Sequence, residues 1–463
     1  MKPRRRERLT LATSVTGAVL VALDGTVLGV AQPTLQRDLH ASLTAVQWTS
    51  TGYLVTVAAL LVFAGRLGDR YGHRRTFTLG VAGFAAASAG IALAPDIGWV
   101  IALRVLQGLS GALLQPATIG LLRAVWPADR LPGAIALRTA ALGVSAAAGP
   151  LVGGALTTHF GWRAVFLLGL LPAAAALVAA LAVPPVRTEP ATSGLDLPGA
   201  GLLALALAAL VHTLVTLPTD GWSTGTALTL TAAALATLAL ARHERRTDRP
   251  LLPAALLRAP AIGPALGVLL AASAALFATL FPASYFLQDA LGLDPLQSAL
   301  RASPLAVAMV VAAPVSAGLA KRRGTRDTVL GAMALLTAGT LLTARLGPSS
   351  GAVAIGGCFL LIGGGFGTVM AVATSAVVRG AAAAEAGVAG GLQQTAMNVG
   401  PALGVALATV LAGRTAPGAA LAPAALSAAA VAAAGLLLAT RLPGRAVATR
   451  PREATGPGAA GRP

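Results

Sequence analysis

Cysteine is nearly missing from this chain. Cys358 is the single one in 463 residues and lies inside an apolar run, so no internal disulfide forms and the residue reads as a small core side chain. Charge is scarce at 11% of residues, and aromatic side chains make up 4%. The five histidines are scattered, no long loop gathers several acids, and no phosphate-cradling glycine loop ending in lysine occurs. These absences argue against an enzyme, leave no site for ATP, and imply neither a metal nor another cofactor. Any ligand cavity is expected to be lined by small aliphatic side chains and a few polar groups.

What the chain has instead is apolar residues, at 56% with a mean hydropathy of +0.77. Apolar stretches of about 20 residues recur, each long enough to cross roughly 30 Å of hydrocarbon as a helix. The fold class is therefore all-α and integral to a membrane. The basic start, MKPRRRER, precedes an apolar run too long for a signal-peptide core and without a small-residue cleavage site, so it reads as a retained first span.

Length, flanking charge and Pro/Gly punctuation predict fourteen spans: 10–31, 46–65, 76–94, 99–122, 133–156, 164–183, 198–217, 225–241, 263–287, 302–320, 328–346, 353–378, 385–412 and 420–440. Connectors predicted inside hold most basic residues, among them Arg66, Arg70, Arg74, Arg75, Arg123, Arg130, Arg187, Arg242, Arg249, Lys321 and Arg379. Those predicted outside hold one arginine each, at 37, 163, 301, 345 and 414. Both termini are then cytoplasmic. The net charge of +18 follows this topology, and no groove or helix face concentrates it as nucleic-acid binding would require. Trp48, Trp99, Trp126, Trp162 and Trp222 fall at predicted span ends, where an indole prefers the headgroup region.

Pro- and charge-rich linkers at 184–197 and 242–262 divide the chain. A six-helix bundle over 1–183 is followed by linkers and an extra helix pair over 184–262, a second six-helix bundle over 263–442 and a disordered tail over 443–463. The extra pair is expected at the periphery. Aligning Gly72 with Gly324 sets AGLAKRRGTR (317–326) under GRLGDRYGHR (65–74), each between the second and third span of its block. Such parallel repeats mark transporters built from two halves around a central site.

Four local motifs fall in order along the first block. The first span holds LDGTV, Leu23 to Val27, and ends with Gln32 before Pro33. The loop after the second span reads GRLGDRYGHRR, with Gly65, Asp69, Arg70, Gly72, Arg74 and Arg75. The fourth span carries RVLQG, giving Arg104, Gln107 and Gly108. The fifth carries GVSAAAGPLVGG, giving Gly143, Gly149, Pro150, Gly153 and Gly154. Over nearly the whole chain these features resemble the major facilitator superfamily, in its fourteen-helix drug/proton antiporter branch. His73 stands where a basic residue is usual in that family, and Gln32 where leucine is usual. The resemblance implies a plasma-membrane protein, expected to be a monomer, that exports amphipathic, cationic or neutral small molecules in exchange for protons by alternating access. It also implies that Asp69 engages the other half at the cytoplasmic face and stabilises the outward-open state.

The residues speak for themselves on Asp24. A carboxylate inside a membrane helix is expensive to keep charged, and competition between a proton and a cationic partner can make it a carrier. Arg104 is the candidate partner: at about 1.5 Å per residue, Asp24 lies roughly 6 Å and Arg104 roughly 7 Å to the outer side of their span centres. A static buried pair that fixes packing is the other reading. Gln107, Gly111 and Gln115 share a face with Arg104 and offer a polar stripe to the cavity, as Gln394 and Asn398 do in the thirteenth span, where interhelical packing explains them equally. Close packing alone also accounts for the glycines around Pro150. Arg138, roughly 9 Å inward of its span centre, is expected to snorkel. Two other readings remain: a dedicated exporter of one metabolite or self-made antibiotic, and, remotely, an intramembrane enzyme or receptor on the same scaffold.

Overall fold

The computed structural model describes residues 3–127, 130–182, 196–247, 250, 254–381, 386–412 and 421–444. The expectations for Arg187, Arg249 and Arg414, for most of the 184–197 linker and for the tail beyond 444 lie outside these residues.

Among the described residues all regular structure is helical, as a backbone in hydrocarbon requires. The elements are α1 (Pro3–Asp38), α2 (Leu43–Tyr71), α3 (His73–Ala92), α4 (Ile97–Val125), α5 (Leu131–Phe160), α6 (Trp162–Leu167), α7 (Leu170–Ala182), α8 (Leu197–Asp220), α9 (Thr224–Glu244), α10 (Ala254–Arg258), α11 (Ile262–Tyr285), α12 (Pro295–Arg323), α13 (Thr325–Thr343), α14 (Ala352–Gly380), α15 (Ala386–Ala412) and α16 (Leu421–Ala439). A π-helical turn, Phe286–Ala290, extends α11. Ten helices are long and apolar enough to cross a membrane, with α6 and α7 forming one of them, or eleven if the bent α2 is a single span. Three predicted spans fall short of that measure. For two of them the cause is charge: side chains in the first turn of α3 (Arg74, Arg75) and of α13 (Arg326, Asp327) lower it.

Below, the proximal end holds residue 3 and the α2–α3 turn, and the distal end is opposite. The glycines aligned at the level of sequence share one backbone device: Gly72 (φ 94°) and Gly324 (φ 93°) each end one helix and start the next. Each also donates its N–H four residues back, to the Gly68 and Ala320 carbonyls. Only glycine adopts such a φ cheaply, so the sharp turn is written twice.

Helices α1–α7 pack into one bundle around Phe77, Phe84, Leu114 and Trp162, and α11–α16 into a second around Leu269, Met333, Ile362 and Phe366. The bundles meet where α5 crosses α12 and α2 crosses α15. Helix α8 is the inner member of the extra pair. Its Val211 is buried with Val55 of α2 and Ala402 and Ala406 of α15, so it lies over the seam between the bundles, whereas α9 packs on α8. The reason lies in side-chain size: small residues on α15 and an apolar face on α8 fit one groove, while Leu228, Leu235 and Leu238 of α9 stay exposed. Trp162 also departs from expectation, because it is buried and donates its indole N–H to Asp38 (2.7 Å) instead of facing a headgroup layer.

Candidate functional site

Asp24 and Arg104 meet, as their depths predict. Arg104 Nη1 lies 2.6 Å from Asp24 Oδ2 between α1 and α4, with the arginine buried and the carboxylate side chain 10% exposed. Gln107, one turn along α4, closes the arrangement: its Nε2 donates to Asp24 Oδ1 (2.9 Å) and to Ser88 Oγ (2.8 Å), while its Oε1 accepts from Arg104 Nη1 (2.6 Å). Arg104 Nε donates to the Thr49 carbonyl (2.8 Å), and its guanidinium sits 4.3 Å from the centre of the Tyr53 ring. Four helices therefore share one charge-assisted network, in which both ionised groups are paired and further hydrogen-bonded. Gly108 and Gly111 leave room for Tyr53, since a Cβ at either would press on its backbone or phenol.

The carboxylate is not sealed. A narrow crevice lined by Leu20, Asp24, Phe84, Ser88, Phe166 and Gly169 reaches it where α6 gives way to α7, with room for about one water.

The glycines of α5 are explained by contact. A Cβ at Gly149 would overlap Thr26, and one at Gly153 would lie 2.9 Å from the Val27 Cα, so this segment packs directly on LDGTV in α1. Gly154 faces the other bundle, 2.7 Å from the Pro295 carbonyl by the same construction. Gly143 faces open space.

At the proximal turn Asp69 makes no ion pair with the second bundle among the described residues. It is exposed and pairs with His73 of its own loop (3.1 Å), whose ring lies in a notch that side chains at Gly68 and Gly120 would fill. Arg74 donates to the carbonyls of Ala180 and Leu181 (2.9 Å each), capping α7 where a cation suits the helix dipole. Arg70 stacks near Tyr71, and Gly65 lies against Pro116. At the distal end the bundles are joined. Gln288 Nε2 donates to the Val30 carbonyl (2.9 Å), Arg37 faces Asp289 (3.6 Å), and Thr158 accepts from the Leu296 N–H (3.1 Å) beside Asp294.

Two helical bundles bridged at their distal ends, one of them holding a carboxylate–arginine pair in its interior, have the form of a transporter. Residues 15–405 match the family model described as Major Facilitator Superfamily. The chain belongs to that superfamily. It is 42% identical to a tetracenomycin C resistance and export protein of Streptomyces glaucescens, over 88% of this chain and 76% of the relative. It is 30% identical to the multidrug efflux pump LfrA of Mycolicibacterium smegmatis, over 87% and 80% respectively. A solved peptide transporter, POT, shares the fold with a TM-score of 0.68 at 17% identity, covering 93% of this chain and 94% of that one. The protein is a membrane transporter and not an enzyme.

Within this superfamily member the remaining predicted site residues stand apart from the network. Gln115 is half-buried towards the proximal end of α4, two turns beyond Gln107. Gln394 and Asn398 lie on α15, where the Asn398 amide donates to the Gln394 carbonyl (2.9 Å) of its own helix. Tyr53, Thr49 and Ser88 were not anticipated. Ser88 alone left a trace, as the single polar side chain in FAAASAG. Gln32 uses its departure from the family pattern to bond Ser50 of α2 (2.9 Å).

Proposed function

We propose that the transporter exports amphipathic small molecules in exchange for protons, by alternating access, as a monomer of fourteen spans in the plasma membrane with both termini cytoplasmic and no cofactor. The observation that carries this reading is the Asp24 carboxylate, held by Arg104 and Gln107 inside the first bundle and reached by a water-sized crevice. Proton and arginine compete for that carboxylate, so protonation frees Arg104 and loosens the joint between α1 and α4. Export agrees with the roles for which those relatives are named, and the side-chain bridges between the bundles described above lie at the distal end, opposite the end taken as cytoplasmic. The conformation is thus read as inward-facing.

A single-compound exporter is the second reading, favoured by the relative named for one antibiotic. A compound panel in inverted vesicles, with and without an uncoupler, separates the two, since a dedicated pump moves one chemical class. Asp24→Asn is expected to insert and fold normally yet abolish uncoupler-sensitive efflux. Full efflux in that variant sinks the proton role of Asp24.

A further inference from the structure

Arg138 of α5 is 8% exposed, and with Asp196 it is one of two buried charged residues, among those described, that the coupling network does not use. Asp24 compensates Arg104, and His243 faces Asp196, but Arg138 has no carboxylate partner among the described residues. Its Nε donates to Thr118 Oγ1 (2.9 Å). The Thr118 hydroxyl spends its own proton on the Gln115 carbonyl (2.7 Å), so only its lone pairs face the guanidinium. The Thr118 carbonyl is held in turn by Ser14 Oγ (2.8 Å). Three helices therefore fix the position of this cation.

Snorkelling is not the explanation. Thr118 lies seven residues before the end of α4 and Arg138 seven residues after the start of α5. Both are then roughly 10 Å inside the proximal end, and the guanidinium is anchored at the depth of its own backbone. Its Nη groups make no hydrogen bond among the described residues. An arginine keeps its charge there, because its guanidinium does not deprotonate in proteins. Burying such a charge without a counter-ion is costly unless a ligand supplies one.

We propose that Arg138, positioned by Thr118, binds the anionic oxygen of the exported molecule, a carboxylate or an ionised phenol. The inference rests on the reading of the chain as an exporter and narrows its substrates to amphipathic weak acids, against the cationic or neutral compounds expected from the sequence. The two free Nη groups match a carboxylate in the forked geometry that arginine favours. An anion leaving while a proton enters moves two positive-charge equivalents inward per cycle, so the membrane potential drives such export more strongly than that of a neutral molecule.

The test uses the full-length protein in detergent and two matched fluorescent probes, anthracene-9-carboxylate and anthracene-9-carboxamide. The unaltered protein is expected to bind the acid about tenfold more tightly than the amide, as befits one charge-assisted pair. Arg138→Gln should remove that preference by weakening the acid alone, and Arg138→Lys should restore part of it. Equal binding of both probes by the unaltered protein, binding of neither, or equal weakening of both by Arg138→Gln would overturn the proposal. Should Arg138→Gln not fold, the probe comparison on the unaltered protein still decides, and Thr118→Val should reduce the preference by freeing the guanidinium. Vesicle efflux that ignores an uncoupler would defeat the coupling reading alone and leave the binding result to stand or fall separately.

Discussion

Gln107 holds the buried network together, because its one amide reaches Asp24, Ser88 and Arg104 at once. Without it, Asp24 Oδ1 would lose its donor, and Ser88 would lose its partner across the α3–α4 contact. Leucine has similar bulk and no polar atoms, so Gln107→Leu isolates the hydrogen bonds from the packing. Leaving a buried acceptor unmet costs about 1–3 kcal/mol. The expected result is a lower unfolding midpoint, read by tryptophan fluorescence in detergent, with the Asp24–Arg104 pair and hence some uncoupler-sensitive efflux retained. An unchanged midpoint would mean that water replaces the amide through the crevice. Asp24, Arg104 and Gln107 were legible in the sequence because charge and amide groups are conspicuous in apolar spans and helical rise fixes their depth. Tyr53 and Thr49 were not: one contributes a ring face and the other a backbone carbonyl, and neither betrays itself by residue type.

At the level of elements, α5 separates two uses of glycine that its sequence runs together. Gly149 and Gly153 touch Thr26 and Val27, so added side chains must push α5 off α1, while Gly143 has nothing within reach. Gly149→Val is expected to destabilise by about 1–3 kcal/mol, as overpacking does. Gly143→Ala should be neutral or stabilising by up to about 1 kcal/mol, since alanine is the better helix former. Thermal unfolding of the two variants side by side checks this, and equal effects would show that α5 does not pack as described. The glycine pattern was visible beforehand, but which glycine faces which helix depends on the azimuth of α5, and its near-uniform Gly/Ala/Leu composition carries no periodic signal to fix that angle. The same uniformity hid the seat of α8 at the seam, whereas the Gly72 and Gly324 turns were legible because charged residues mark both.

For the molecule as a whole, the proposed alternating access gives the two ends of the seam opposite parts in a transport cycle. The distal end is shut by Gln288, Arg37 and Thr158, and at the proximal end Asp69 stays with His73. If Asp69 latches the second bundle only when the proximal end closes, removing its charge must favour the conformation described here. A carboxylate at a helix N-terminus contributes about 1 kcal/mol, or about fivefold in a two-state population. Thr158 Oγ1 and Asp294 Oδ1 are 3.5 Å apart across the shut end, so cysteines at both positions serve as a reporter once the buried Cys358 is replaced by alanine. That cross-link should form readily, stop efflux, and release it again on reduction. Adding Asp69→Asn should raise the cross-linking rate and slow transport without altering which compounds are carried. A lower rate would mean that Asp69 holds the distal end shut, and an altered substrate range would place it near the binding cavity instead of at a gate.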